Sequence, residues 1–239
     1  MERIQTPPPP PVSLSYEQEK VSAFLRQVYN WMAGGLALTG VVAWLSFQSQ
    51  FIMQALFTPT GPSMLFWVLC IAELGMVFWL SARVHKMQAS TAAGIFILYA
   101  GLNGITLSWI FLAYTGQSLV STFLVTGGTF AVTSIWGYTT KRDLSGVGSF
   151  LTMGLFGIII ASLVNLWLKS PMLTWIVTYL GIAIFVGLTA WDTQKLKKFA
   201  TGDYDEQTGS KAAVMGALSL YLDFINLFLL LLRVMGDRR

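Results

Sequence analysis

Residues 212–232 read AAVMGALSLYLDFINLFLLLL, an apolar run of 21 residues that carries one charged side chain, Asp223. A helix needs about 20 such residues to cross the hydrocarbon core of a bilayer. Backbone polar groups in lipid must be satisfied within the segment, and the run lacks the alternation of a barrel strand. The run therefore predicts a transmembrane helix. Six further runs meet the same test: residues 28–47, 64–82, 91–114, 120–138, 147–168 and 172–191.

The composition indicates that most of this chain is surrounded by lipid. Of its 239 residues, 54% are hydrophobic and 11% are charged, whereas roughly a quarter of an ordinary soluble domain is charged. A chain of this length would still need a polar exterior in water. We therefore predict an all-α integral membrane protein with one seven-helix domain, residues 24–239. The polar segment 1–23 contains the run Pro7 to Pro11, which favours an extended conformation and predicts a flexible cytosolic tail.

The basic residues predict the orientation of the chain. The net charge is +4, but Lys and Arg lie between the apolar runs rather than on one face, so we expect no nucleic-acid partner. Cytoplasmic loops carry the excess of Lys and Arg, and with a cytosolic N-terminus the outer loops hold only Lys169. Arg233, Arg238 and Arg239 would then lie outside, which leaves a re-entrant last helix as the alternative. The inner segments hold Arg3, Lys20, Arg26, Arg83, Lys86, Lys141, Arg142, Lys195, Lys197, Lys198 and Lys211.

Three acidic residues lie within or at the edge of the predicted spans. A carboxylate at the centre of a span costs about 2.5–3.5 kcal/mol on insertion scales, so such residues commonly mark ion or proton pathways. Glu73 lies at the centre of the second span, Asp192 closes the sixth, and Asp223 lies inside the seventh. Asp192 also fits an interfacial acid, and Glu73 a hydrogen-bond partner between helices. Arg83 falls near the same boundary as Asp192, where it fits either an ion-pair partner or a topology anchor.

Four segments resemble a known family. Residues 137–145 (GYTTKRDLS), 191–194 (WDTQ) and 220–228 (LYLDFINLF) look like signature segments of the Bax inhibitor-1 (TMBIM) family, and residues 24–32 (FLRQVYNWM) are similar to its entry into the first span. The resemblance implies a seven-helix bundle whose C-terminal helix is central and surrounded by the other six. It also implies a pH-sensitive calcium leak. Trp191 stands where many relatives have Tyr, and a polar loop, residues 201–210, separates the last two spans.

The resemblance also assigns roles to individual residues. An aspartate that closes the sixth span and one inside the seventh form a proton-sharing pair in the family, and the matching positions are Asp192 and Asp223. The second-span Glu and Arg of the bacterial branch look like Glu73 and Arg83. Two close carboxylates in a medium of low dielectric constant cannot both ionise cheaply. We therefore expect Asp192 and Asp223 to share a proton in a closed state, with Arg83 compensating Asp192 when they separate.

The same acids suggest an ion pathway. Calcium prefers oxygen ligands, and Glu73, Asp223 and Asn226 offer them. Passage requires weak binding, so we expect at most weak calcium contacts, at Asp192 and Asp223. We expect no cofactor, with calcium as the transported ion. The expected partners are the lipid bilayer, calcium ions, protons and a membrane-protein partner.

Other functions remain as alternatives. One is a regulatory interaction protein, a modulator of membrane proteolysis or cell death that carries no ions, and another is a proton/cation exchanger. An aspartyl protease of the membrane is disfavoured because the Gly-x-Gly-Asp motif of those enzymes does not occur, and the last span has no lysine for a retinal Schiff base. We therefore predict no enzymatic activity. The short loops favour a bacterial inner membrane with a cytosolic N-terminus.

Overall fold

The computed structural model describes residues 14–239, and the structural statements below concern this part of the chain. Its helices are α1 (Leu14–Gln48), α2 (Gln50–Leu56), α3 (Met64–Arg83), α4 (Ala89–Leu107), α5 (Ile110–Ala113), α6 (Gly116–Thr139), α7 (Ser145–Leu168), α8 (Pro171–Ala200) and α9 (Glu206–Met235). A 3-10 turn spans Val84–Lys86, and two short antiparallel strands, β1 (Phe57–Thr58) and β2 (Gly61–Pro62), connect α2 to α3.

Seven stretches are long and apolar enough to cross a membrane, and each overlaps one predicted span. The seven are Glu17–Gln48, Met64–Lys86, Ala89–Ala113, Gly116–Thr139, Ser145–Leu168, Pro171–Ala200 and Glu206–Met235. The prediction of an all-α integral membrane protein with a seven-helix bundle is therefore confirmed.

The first helix begins earlier than the apolar run suggested. Residues 14–23, assigned to the tail from the sequence, belong to α1. They stay helical because Val21 and Phe24 are buried in the core and because the Lys20 ammonium donates to the Gly202 carbonyl oxygen at 2.6 Å. The Pro7 to Pro11 run lies outside the described residues.

The last helix is the centre of the bundle. α9 packs on α1, α4, α6 and α8, while α3 packs on α4 and α7 packs on α8. Leu220, Tyr221 and Leu227 of α9 are completely buried. The C-terminal helix is thus central, as expected, but its close neighbours are four helices, and α3 and α7 lie further out.

The chain ends opposite the α8–α9 connection. After α9, the Asp237 amide donates to Ser118 Oγ at 2.9 Å, and the Arg239 amide donates to the Ala113 carbonyl oxygen at 3.1 Å. Ala113 is the last residue of α5, and Ser118 lies in the first turn of α6. The 30 residues of α9, about 45 Å at 1.5 Å per residue, therefore traverse the whole bundle. The re-entrant alternative for the last helix is wrong.

Two ends of the bundle follow from this topology. The basic end comprises residues 84–88, 140–144 and 201–205, and the far end comprises residues 49–63, 114–115 and 169–170 together with the C-terminus. Three helices that start at the far end have side-chain caps: Ser63, Thr115 and Ser170 each accept from the amide three residues later. These caps satisfy amides that an uncapped helix would leave without partners.

Two glycines define the register between α8 and α9. Gly216 faces Leu196, and Gly181 faces Leu230, so closely that a β-carbon at either glycine would overlap the leucine side chain. In this antiparallel register Asp223 lies level with Leu188, four residues from Asp192. The two aspartates are therefore about 6 Å apart along the helix axes.

The position of Asp192 differs from the prediction in one respect. It does not close its helix, because α8 continues for eight more residues to Ala200. α9 likewise begins at Glu206, before the apolar run. Both helices extend past the apolar runs, so Asp192 lies about 12 Å inside the end of α8. This extension is what brings the two aspartates to similar depths.

Candidate ion pathway

Two cavities follow the central helix, one after the other. The long cavity, about 830 Å³, lies between α3 and α7 and has α8 and α9 as its floor. Its polar lining includes Asp192, Lys195, Asp223, Asn226 and Arg233. The basic-end cavity, about 510 Å³, is lined by the 3-10 turn, the end of α8 and the start of α9. Asp192, Lys195 and Ser219 line both, so the two cavities meet at these residues.

Asp192 forms an ion pair at this junction. It is 8% exposed, and its Oδ1 lies 2.7 Å from the Lys195 ammonium, one turn further along α8. The same ammonium lies 4.6 Å from the centre of a Trp191 ring. The side chain of Lys195 is 53% exposed, so the cation still reaches solvent while it neutralises Asp192.

Asp223 has no such compensation. It is 5% exposed, and its Oδ2 is buried without a hydrogen-bond partner anywhere in residues 14–239. Its side chain lines the long cavity together with Asp192. The hydrogen-bond partner of Asp192 in the structure is Lys195.

The structure gives Asp192 a partner that the sequence did not suggest. Arg83 is exposed at the end of α3, and no acidic side chain within the described ranges lies at ion-pair distance from it. α3 packs on α4, and Ser81 and Val84, rather than Arg83 between them, line the basic-end cavity together with Asp192. Lys195 occupies the compensating position instead.

Glu73 joins a buried hydrogen-bond network rather than the cavity wall. Its Oε1 accepts from Thr106 Oγ1 at 2.8 Å, and its Oε2 accepts from Asn103 Nδ2 at 3.2 Å. The Tyr221 hydroxyl donates to Asn103 Oδ1 at 3.0 Å and lies 2.7 Å from Thr39 Oγ1. The network connects α3, α4, α9 and α1. Glu73 does not line the long cavity, so this geometry matches the hydrogen-bond partner between helices rather than the expected ion ligand.

Asn226 does lie on the cavity wall. Its side-chain nitrogen donates to the Leu222 carbonyl oxygen at 2.8 Å, so its Oδ1 is the atom that is available to a cation. Within residues 14–239, no three His, Cys, Asp or Glu side chains gather closely enough to hold a metal ion. Any calcium in the long cavity would therefore meet few protein ligands.

Sequence reasoning missed Lys195 and Tyr221. Lys195 is three residues after Asp192, a spacing that places two side chains on one face of a helix, and this signal was available. Tyr221 and its partners Thr39 and Asn103 carry no sequence signal of their own, since they come from three different helices. Their pairing depends on how those helices are rotated.

The Tyr221 hydroxyl is expected to contribute to stability. Tyr221→Phe keeps the ring but leaves Asn103 Oδ1 without its donor, which costs about 1–3 kcal/mol for a buried group. We expect this loss in the free energy of unfolding, measured by denaturant titration in detergent micelles. Tyr138→Phe is the control, because that ring is 36% exposed and faces away from the network. Equal stability of the two variants would contradict the network.

Asp143 anchors the loop at the basic end. Its Oδ1 lies 2.6 Å from the Lys198 ammonium, and Lys198 together with Ser145 lowers the pKa of Asp143 to about 2. A lowered pKa means that the contact is fully present above the ordinary value of 3.8 and is lost as the pH falls towards 2. We therefore expect a carboxyl carbon NMR titration of Asp143 to show no protonation above about pH 4. A midpoint near the ordinary value would show that Lys198 does not hold it.

Comparison with known proteins identifies the family. The profile described as "Inhibitor of apoptosis-promoting Bax1" matches residues 21–239. The Escherichia coli K12 protein called inner membrane protein YbhL is 51% identical over 222 residues, 92% of this chain and 93% of the relative. A Borreliella burgdorferi protein is 42% identical over 232 residues, 95% and 99% of the two chains, and Rickettsia prowazekii protein RP147 is 43% identical over 222 residues, 92% of each. The chain belongs to the Bax inhibitor-1 family.

Proposed function

We propose that this protein is a pH-sensitive calcium leak of the bacterial inner membrane, with its pathway along the two cavities beside α9. The observation that carries the proposal is that the cavities meet at Asp192 and Lys195. From Thr208 to Arg233 their lining residues follow about 38 Å of α9, more than the roughly 30 Å of a hydrocarbon core.

The acids of the long cavity give the pathway its preference for cations. Asp223 and Asn226 present oxygen atoms, which calcium prefers, and they are too few to retain it. Asp192 becomes available when Lys195 moves towards solvent. Arg233 and Lys195 are the two cations of this cavity, and Tyr99 of α4 is its other titratable group.

The gate follows from the two arrangements of the aspartates. When both are ionised they repel each other, Asp192 stays on Lys195, and the cavity keeps the negative charge of Asp223. When Asp223 takes up a proton it can donate to Asp192, which draws α8 and α9 together and removes that charge. Acid therefore favours the closed arrangement by shifting a population between two packings. Lys195 has the compensating role that the sequence suggested for Arg83.

The orientation belongs to the same proposal. Cytoplasmic loops are rich in Lys and Arg, so the basic end faces the cytosol and calcium passes from the far end towards it. The name of the Escherichia coli relative supports an inner-membrane location.

Calcium uptake into vesicles that contain the purified protein tests the proposal. With equal pH on both sides, uptake down a calcium gradient should exceed that of empty vesicles and should increase with pH, as Asp223 ionises. A rate equal to that of empty vesicles at every pH would contradict a leak. Uptake that requires a pH gradient would instead identify a proton/cation exchanger.

A regulatory role is the second candidate, favoured by the family description as an inhibitor of apoptosis-promoting Bax1. It would use a membrane-protein partner rather than the cavities. Wild-type protein that binds such a partner while vesicles show no calcium uptake would support this role and exclude the leak.

A further inference from the structure

We propose that the basic-end cavity is a binding site for a phosphate-bearing anion, and that the bound anion closes the leak by taking Lys195 away from Asp192. The binding site stands on the structure alone, whereas its effect on the leak rests on the proposed function.

The charge of the cavity is the first reason. Lys195, Lys211 and His85 line it from α8, α9 and the 3-10 turn, against a single acid, Asp192. Because Asp192 is already neutralised by Lys195, the charge of Lys211 is in excess among the lining residues; Asp205, the acid that Lys211 also affects, lies outside the lining. Lys211 is half-buried and makes no ion pair with any residue of the described ranges. The excess positive charge of such a cavity attracts anions.

The hydrogen-bonding groups and the size indicate phosphate rather than a smaller anion. Ser81 of α3 and Thr208 and Ser219 of α9 add three hydroxyl groups to the ammonium groups. Lysine binds phosphate as a point charge, and hydroxyl groups donate hydrogen bonds to the remaining phosphate oxygens. A volume of about 510 Å³ holds a phosphate with an organic substituent. Both a lipid headgroup and a free phosphate compound have this chemistry.

The junction connects this site with the gate. The Lys195 ammonium that faces the basic-end cavity also holds Asp192 at 2.7 Å, so a phosphate group competes with Asp192 for the same cation. Asp192 released in this way is free to accept a hydrogen bond from the protonated carboxyl group of Asp223. Binding should therefore reduce calcium uptake and extend the closed state to higher pH.

Thermal unfolding of the full-length protein in lipid nanodiscs tests the binding site. One arm adds inorganic phosphate to zwitterionic nanodiscs, and the other uses nanodiscs that contain phosphatidic acid without added phosphate. We expect stabilisation in at least one arm, with Lys211→Gln weakening the apparent affinity at least about five-fold, as for loss of one charge-assisted contact. The arm that responds identifies the source of the phosphate group. The matched control is Lys169→Gln, which removes the same charge at the far end.

The outcomes separate the two proposals. Stabilisation in neither arm, or an equal response of Lys211→Gln and Lys169→Gln, would overturn the site. Lys211-dependent binding in a protein that carries no calcium would retain the site and reject the leak. If Lys211-dependent binding persists but the rate of calcium uptake is the same with and without bound phosphate, the coupling through Lys195 is overturned.

Discussion

Asp223→Asn is expected to give calcium uptake that is low at every pH from about 5 to about 8, where wild-type uptake increases with pH. The amide cannot ionise, and it can donate to Asp192 as the protonated acid does, so the variant should resemble the closed arrangement. At the upper pH we expect uptake at least about tenfold below wild type, because the variant removes the attraction between the Asp223 carboxylate and a passing cation. Two unit charges 4 Å apart interact by about 4 kcal/mol at a protein surface. Vesicles with equal pH inside and outside provide the measurement.

The control for this variant is Asp143→Asn. It makes the same chemical change at an exposed loop residue whose carboxyl is already ionised throughout the range. This control should keep the wild-type pH dependence. If Asp223→Asn also keeps it, the gate lies elsewhere in the protein.

Gly137→Ala is expected to destabilise the bundle strongly. A β-carbon at Gly137 would overlap the carbonyl oxygen of Ala190, so α6 and α8 could no longer approach as they do. Overpacking usually costs about 1–3 kcal/mol, and we expect the upper part of that range or more because backbone rather than a flexible side chain must move. Denaturant titration in micelles measures the loss.

Gly127→Ala is the matched control on the same helix. A β-carbon there meets nothing within 4 Å, and alanine favours helix by about 1 kcal/mol over glycine. This variant should be as stable as wild type or slightly more stable. Similar loss in both variants would mean that helix propensity, not the contact with Ala190, limits α6.

The seven spans could be predicted because each is a long apolar run, but the helix ends could not. Residues 14–23, the last eight residues of α8 and the first six of α9 are polar enough to resemble loops. They are helical because they pack around Tyr204 of the α8–α9 connection. Phe199 of α8 stacks on its ring with centres 4.9 Å apart, and the Lys20 ammonium of α1 lies 4.7 Å from the ring centre. The length of an apolar run reflects the thickness of the hydrocarbon core. The helix itself continues beyond the run for as long as tertiary packing stabilises it.

The acids of the site could be predicted, but not all of their partners. A carboxylate in an apolar run is visible in the sequence, so Asp192, Asp223 and Glu73 were found. Which groups they meet depends on how each helix is rotated about its axis. That rotation directs Arg83 outwards and Glu73 towards Asn103 and Thr106.

Asn226 was named from the sequence for its oxygen atom, and helix spacing accounts for its place in the structure. It follows Asp223 by three residues, so both side chains lie on one face of α9, and both line the long cavity.

Cadmium block of calcium uptake through Asn226→Cys is the most direct test that ions pass along the long cavity. The variant is made in a Cys70→Ala background, which removes the single native cysteine. Cadmium should stop uptake through this protein and leave the background protein unaffected. It should also spare Val132→Cys, whose side chain is 70% exposed on the outer face of α6. Undiminished uptake in the Asn226→Cys protein, with its thiol shown to react, would mean that calcium takes another route.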